Sequence, residues 1–93
     1  TTLSCYNNQL TSLDVSQNTA LTYLNCVGNQ LTSLDVSNNI ALEHLECWSN
    51  FITCLDISNN SSLTELICMY NLLEQMGRAL QLPSSVICLC LMD

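Results

Sequence analysis

The stretch Leu21–Ala41, LTYLNCVGNQLTSLDVSNNIA, decides the fold. Moved back by 21 residues it overlays TTLSCYNNQLTSLDVSQNTA at 1–20; moved forward it overlays LEHLECWSNFITCLDISNNSS at 42–62. A fourth copy opens at Leu63 and drifts after Asn71. Self-similarity at a fixed period of this length marks a solenoid, in which each unit packs only on its neighbours. The chain of 93 residues is therefore about four and a half coils, and a narrow column of stacked side chains replaces a globular core. The expected coil boundaries are about 1–20, 21–41, 42–62 and 63–85, with a partial coil at 86–93, all in one array.

Within the second copy the apolar positions are Leu21, Leu24, Cys26, Leu31, Leu34 and Val36. The L-x-C and L-x-V alternation has strand period, which sends successive side chains to opposite faces. Two short extended segments per coil are expected, one on each wall of a flattened tube, with like residues of successive coils in register about 4.8 Å apart. Each buried leucine contributes roughly 1.5–3 kcal/mol relative to exposure.

Asparagine marks the corners. Asn8, Asn29, Asn50 and Asn71 form one column, and Asn18, Asn39 and Asn60 form another. A coil that turns after each strand leaves backbone groups without sheet partners, and a buried orphan costs about 1–3 kcal/mol. An amide side chain carries two donors and an acceptor, so a file of them can satisfy successive turns. Asp14, Asp35 and Asp56 form a third column facing out, read as a solvated polar rung, with a shared cation as the alternative.

In the second copy the halves read LxxLxCxxN (Leu21, Leu24, Cys26, Asn29) and LxxLxVxxN (Leu31, Leu34, Val36, Asn39), and both resemble the leucine-rich-repeat consensus LxxLxLxxN. The whole resembles the short, nested 21-residue class of bacterial surface proteins, Bacteroidetes-type or internalin-like. It is close over 1–71 and loose over 72–93. The resemblance implies a mostly β solenoid, a right-handed coil of parallel strands, whose first-half strands line a concave partner-binding face. It also implies a secreted or cell-surface location.

In the fourth copy Leu72–Pro83 reads LLEQMGRALQLP, with apolar residues at Leu72, Leu73, Met76 and Leu80. That spacing predicts a short helix over about 73–81, ended by Pro83, and a repeat lengthened to 23 before SSVICLCLM restarts the first-half strand.

The chain opens in mid-repeat without a polar cap, which reads as a fragment of a longer protein and leads us to expect end-to-end self-association through open coils. Its net charge is −7, and Arg78 is its one Lys or Arg. That balance argues against nucleic acid and anionic membrane surfaces, which require basic patches. No apolar run approaches the ~20 residues of a membrane span.

Seven cysteines could suggest a disulfide framework, but Cys5, Cys26, Cys47 and Cys68 recur every 21 residues at an inward aliphatic position. A free cysteine serves there as a small apolar residue. A bridge between adjacent rungs is the alternative, because Cα atoms about 5 Å apart would permit it. Cys88-x-Cys90 would present both side chains outward if Leu89 and Leu91 point in, though a metal site would need two further ligands.

No catalytic constellation is legible: one histidine, two glycines and no phosphate loop. The expectation is a non-catalytic protein without cofactor or metal. The two outward walls differ in kind. The second-half wall repeats Thr, Ser and Asp, whereas the first-half wall collects every Tyr and Trp and the one His. The candidate partner-binding residues are Tyr6, Tyr23, Val27, His44, Glu46, Trp48, Glu65, Ile67, Met69 and Tyr70. Aromatics and Met on a rigid sheet with a polar rim have the composition of an interface core. Glu46 and Glu65 would favour a basic partner. The competing readings are aromatics that merely brace neighbouring rungs, a carbohydrate-binding adhesin segment, and a structural spacer of a larger surface protein.

Overall fold

In the computed structural model the described residues are 1–53 and 55–72, together with the backbone of 87–88. Five short strands follow in order: β1 (Thr2–Ser4), β2 (Tyr23–Asn25), β3 (His44–Glu46), β4 (Glu65–Ile67) and β5 (Ile87–Cys88). They form one parallel sheet in sequence order. The first four are in perfect repeat register, Thr2 against Tyr23, Tyr23 against His44, and His44 against Glu65. The solenoid expected from the 21-residue period is the observed architecture.

Pairing runs beyond the strands. The amides of Cys5, Cys26 and Cys47 each donate at 2.9 Å to the carbonyls of Asn25, Glu46 and Ile67 in the next coil. Further on, Gln30 donates to the Leu10 carbonyl at 2.8 Å, Phe51 to Leu31 at 2.8 Å and Leu72 to Ile52 at 2.9 Å.

The interior is the expected file of side chains. Leu24, Leu45 and Leu66 stack at the centre of the sheet, each fully buried. Cys26, Cys47 and Cys68 form the file beside them, and Leu21, Leu42, Leu31, Ile52, Val36 and Leu55 close the far side. Leu3, Cys5, Leu10 and Leu13 of the first coil are only partly covered.

The asparagine columns hold the corners. The Asn29 amide nitrogen donates to the Cys26 carbonyl of its own coil at 3.0 Å and to the Cys5 carbonyl of the preceding one at 3.1 Å; its Oδ1 accepts from the Leu10 amide at 3.1 Å. Asn50 repeats the set with Cys26, Cys47 and Leu31, and Asn71 with Cys47, Cys68 and Ile52. Asn8, in the first coil, donates to Cys5 and Tyr6 carbonyls and is exposed. The second column is one-sided. Asn39 donates to the carbonyls of Val15 and Asn18, and Asn60 to those of Val36 and Asn39. The buried Oδ1 atoms of Asn39 and Asn60 accept no bond. Asn18 is exposed and contributes backbone groups to its turn.

Three expectations change. The second wall carries no ladder among the described residues, so each coil has one paired strand rather than two. The cause is local: Asp14, Asp35 and Asp56 each turn Oδ1 back to accept the amide two residues on, from Ser16, Ser37 and Ser58 at 2.9 Å. An amide captured in this way is lost to the neighbouring coil. The last offset is 22 residues, Glu65 against Ile87, not the 23 expected; the strand restart at SSVICLCLM is where β5 lies. Cys88 thereby pairs in register with Leu66. Cys68 is disulfide-bonded, whereas Cys5 and Cys26 are free thiols. The helix expected over 73–81 lies outside the described residues.

Candidate protein-binding face

Strand alternation positions the outward wall. In β2, β3 and β4 the central leucine is buried and the residues either side of it are half-exposed. Tyr23, His44 and Glu65 thus form one file across the sheet, and Asn25, Glu46 and Ile67 a second. Val27, Trp48 and Met69 follow two residues later, where the chain leaves the strand.

The centre of this wall is a polar knot. The Tyr23 ring lies flat on His44, with centroids 4.6 Å apart and planes 15° apart. Tyr23 Oη donates to Glu46 Oε2 at 2.7 Å. His44 Nε2 meets the same oxygen at 2.9 Å, and Nδ1 meets Glu65 Oε1 at 2.6 Å. Both ring nitrogens of His44 thus face carboxylate oxygens, one from its own strand and one from the next. The Trp48 indole N–H approaches Glu46 Oε1 at 3.5 Å.

Partial burial pushes the Glu46 carboxyl up, but bonds from Tyr23, His44 and Trp48 outweigh it and hold the group below the usual carboxylate range. The same contact raises the Tyr23 phenol, since a hydroxyl that donates to a carboxylate resists losing its proton. On the opposite wall the Asp14, Asp35 and Asp56 carboxyls are lowered by the bonds from their serines. Among the described residues no group of His, Cys, Asp and Glu is arranged to hold a metal ion.

The ten candidate residues divide by place. Tyr23, His44, Glu46, Glu65 and Trp48 come together in and around the knot. Tyr6 and Tyr70 stand exposed, at 55% and 70%, in the first and fourth coils. Ile67 and Met69 are half-covered. Val27 is a correction: it is 7% exposed and lies under its neighbours instead of standing free as an anchor. It floors a cleft of about 170 Å³ walled by Tyr6, Asn7, Asn25, Glu46 and Trp48.

Sequence reasoning missed a backbone feature. Asn7, Gly28, Ser49 and Tyr70 occupy one position in four successive coils, and all have positive φ, between 56° and 70°. The turn out of each strand demands the left-handed region. Gly28 enters it freely, and a Cβ added there would clash with Asn7 Oδ1. Asn7 is the ordinary substitute, whereas Tyr70 is a bulky residue in a conformation that disfavours it. Gly28 and Asn7 were the available signal; Ser49 and Tyr70 concealed it.

Parallel strands at a 21-residue step, a leucine–cysteine interior and an asparagine ladder at the corner make this a leucine-rich-repeat solenoid. The chain is a leucine-rich repeat protein, and its repeats resemble internalin-like ones. The family described as Leucine Rich repeats (2 copies) matches residues 1–40. Among solved structures, the functional domain of InlJ from Listeria monocytogenes, described as including a cysteine ladder, is similar at a TM-score of 0.75 and 46% identity. That match covers 76% of this chain and 16% of the other, so the chain spans a small part of that relative's length. Among curated proteins none matches.

Proposed function

We propose that the chain is a non-catalytic protein-binding scaffold whose first-strand face recognises its partner, as part of a secreted or cell-surface protein. The observation that carries this reading is Tyr70. It is 70% exposed and takes a φ of 56°, where Asn or Gly would be less strained. Strain of that kind, about 1–2 kcal/mol, is typical of positions kept for a contact rather than for the fold. Tyr6 and Trp48, which share a cleft with Glu46 of the polar knot, support the same reading, because such residues provide area at low entropic cost. The likeness of these repeats to internalin-like ones favours interaction over catalysis.

The test is a binding screen of the full chain against a panel of cell-surface ectodomains, with the double variant Trp48→Ala, Tyr70→Ala as control. The variant should lose captured partners while its thermal midpoint stays nearly unchanged. Loss of stability with binding intact would mean that the aromatics brace the sheet. Capture of sugars on a glycan array, with no protein bound, would favour the adhesin reading instead.

A further inference from the structure

The cleft beside the polar knot has a shape and chemistry of its own. Trp48 and Tyr6 supply aromatic walls, Val27 the apolar floor, and Glu46 a carboxylate, with Asn7 and Asn25 at the rim. The two oxygens of Glu46 are not equivalent. Oε2 is engaged twice, by Tyr23 Oη at 2.7 Å and His44 Nε2 at 2.9 Å. Oε1 has only the long approach of the Trp48 indole at 3.5 Å, which leaves strong acceptor capacity at the aromatic wall. The Asn25 Oδ1 already accepts the Val27 amide at 3.1 Å, so that side chain is held in place.

No Lys or Arg stands anywhere in residues 1–72, and the whole chain carries −7. A flat cation therefore suits this cleft better than any other occupant. We propose that the cleft formed by Tyr6, Val27, Glu46 and Trp48 is a subsite for one arginine side chain of the protein partner, its guanidinium bonded to Glu46 Oε1 and stacked on Trp48. This rests on the proposed protein-binding role of the same face and names the chemistry it selects. Guanidinium is planar, weakly hydrated and a multiple donor, so it can stack and donate to a carboxylate together. An ammonium is a compact point charge and forfeits the stacking. Tyr23 and His44 act as positioning residues, since they hold Oε2 and so orient Oε1.

The chain contains one tryptophan, so its indole N–H is a single resonance that reports the cleft directly. Blocked arginine, N-acetyl-arginine methylamide, is titrated into the full chain and that resonance is followed. The lysine and citrulline analogues are titrated alongside. The expected result is a saturable shift with arginine, at least about tenfold weaker affinity for lysine, and no response to the uncharged citrulline. Glu46→Gln should weaken arginine binding by about tenfold or more, whereas Glu43→Gln, which removes the same charge at an exposed site, should not. Tyr6→Ala, on the opposite wall, serves if Glu46→Gln does not fold; it should weaken binding as well.

Equal responses to arginine and citrulline, equal losses in the two glutamate variants, or lysine binding as well as arginine would each overturn the subsite. A silent indole would do so too. If the subsite fails while Trp48→Ala, Tyr70→Ala still abolishes capture of partners, the recognition face stands without it. If arginine binds but that double variant captures partners normally, the wider reading of the face is the one that fails.

Discussion

The side-chain amide of Asn50 donates to the carbonyl of Cys26, 24 residues earlier, at 3.0 Å, and so ties the corner of one coil to the strand end of the coil before it. The same side chain donates to Cys47 of its own coil and accepts from the Leu31 amide. Each corner asparagine is in effect a backbone segment supplied by a side chain, and the stack of coils depends on it.

Asn50→Ala should therefore be severe. It strips the acceptor of the buried Leu31 N–H, at about 1–3 kcal/mol for a group left unpaired, and takes one donor each from the Cys26, Cys47 and Trp48 carbonyls, which keep Asn29, Asn71 and the Gly28 amide. Asn39→Ala should cost less, because the Asn39 Oδ1 accepts nothing in the native state and only the amide nitrogen is lost. Urea unfolding of both variants measures the difference. Equal losses would show that the two columns carry the same load.

The buried Cys26 thiol should be chemically silent. Burial, and secondarily the neighbouring Cys5 thiol, push Cys26 up to about 12, while Cys5 at the less covered first coil is raised by its own partial burial. Since the thiolate is the reactive form, iodoacetamide at neutral pH should modify Cys5 well before Cys26, with mass spectrometry of peptides as the readout. Modification of Cys26 at the same rate would show that the stack opens freely.

Tyr70→Asn copies the residue that the first coil uses at the equivalent position. It should leave stability unchanged or raise it by up to about 1 kcal/mol, because Asn tolerates the left-handed region. It should also weaken partner binding. A lowered unfolding midpoint would mean that the Tyr70 ring stabilises the sheet more than its backbone strains it.

Stability should depend on pH through Glu46. Its carboxyl is held below the ordinary range in the folded chain, so its contribution is present above the unfolded-state value and disappears as pH falls through the folded one. Glu46→Gln should flatten this part of the acid limb relative to the native chain; Asp14, Asp35 and Asp56 leave a remainder in both. On the alkaline side the Tyr23 phenol is raised, so its contribution is lost as pH rises through the folded value, and Tyr23→Phe should remove that loss. Identical pH profiles for Glu46→Gln and the native chain would show that the knot contributes nothing to folding.

The period of 21 was enough to establish the solenoid, the inward file of Leu24, Leu45 and Leu66, and the asparagine corners. Repetition makes this possible: a residue that recurs at one step must meet its own copies, so the contacts are readable without coordinates. The wall that carries the aromatics was also legible, because strand alternation separates inward from outward positions once the leucines are assigned. What the sequence did not reveal depends on competition between neighbours. Asp14, Asp35 and Asp56 look like strand residues, and only the folded chain shows their carboxylates taking the serine amides that a second ladder would need. Val27 reads as an outward residue until Tyr6 and Trp48 are seen around it. The knot of Tyr23, His44, Glu46 and Glu65 joins residues from three coils by distances of 2.6–2.9 Å, and no spacing rule fixes side-chain rotamers to that accuracy. Periodicity determines which residues are neighbours; the tertiary structure decides which of their atoms bond, since each polar group has several partners within reach and only packing selects among them.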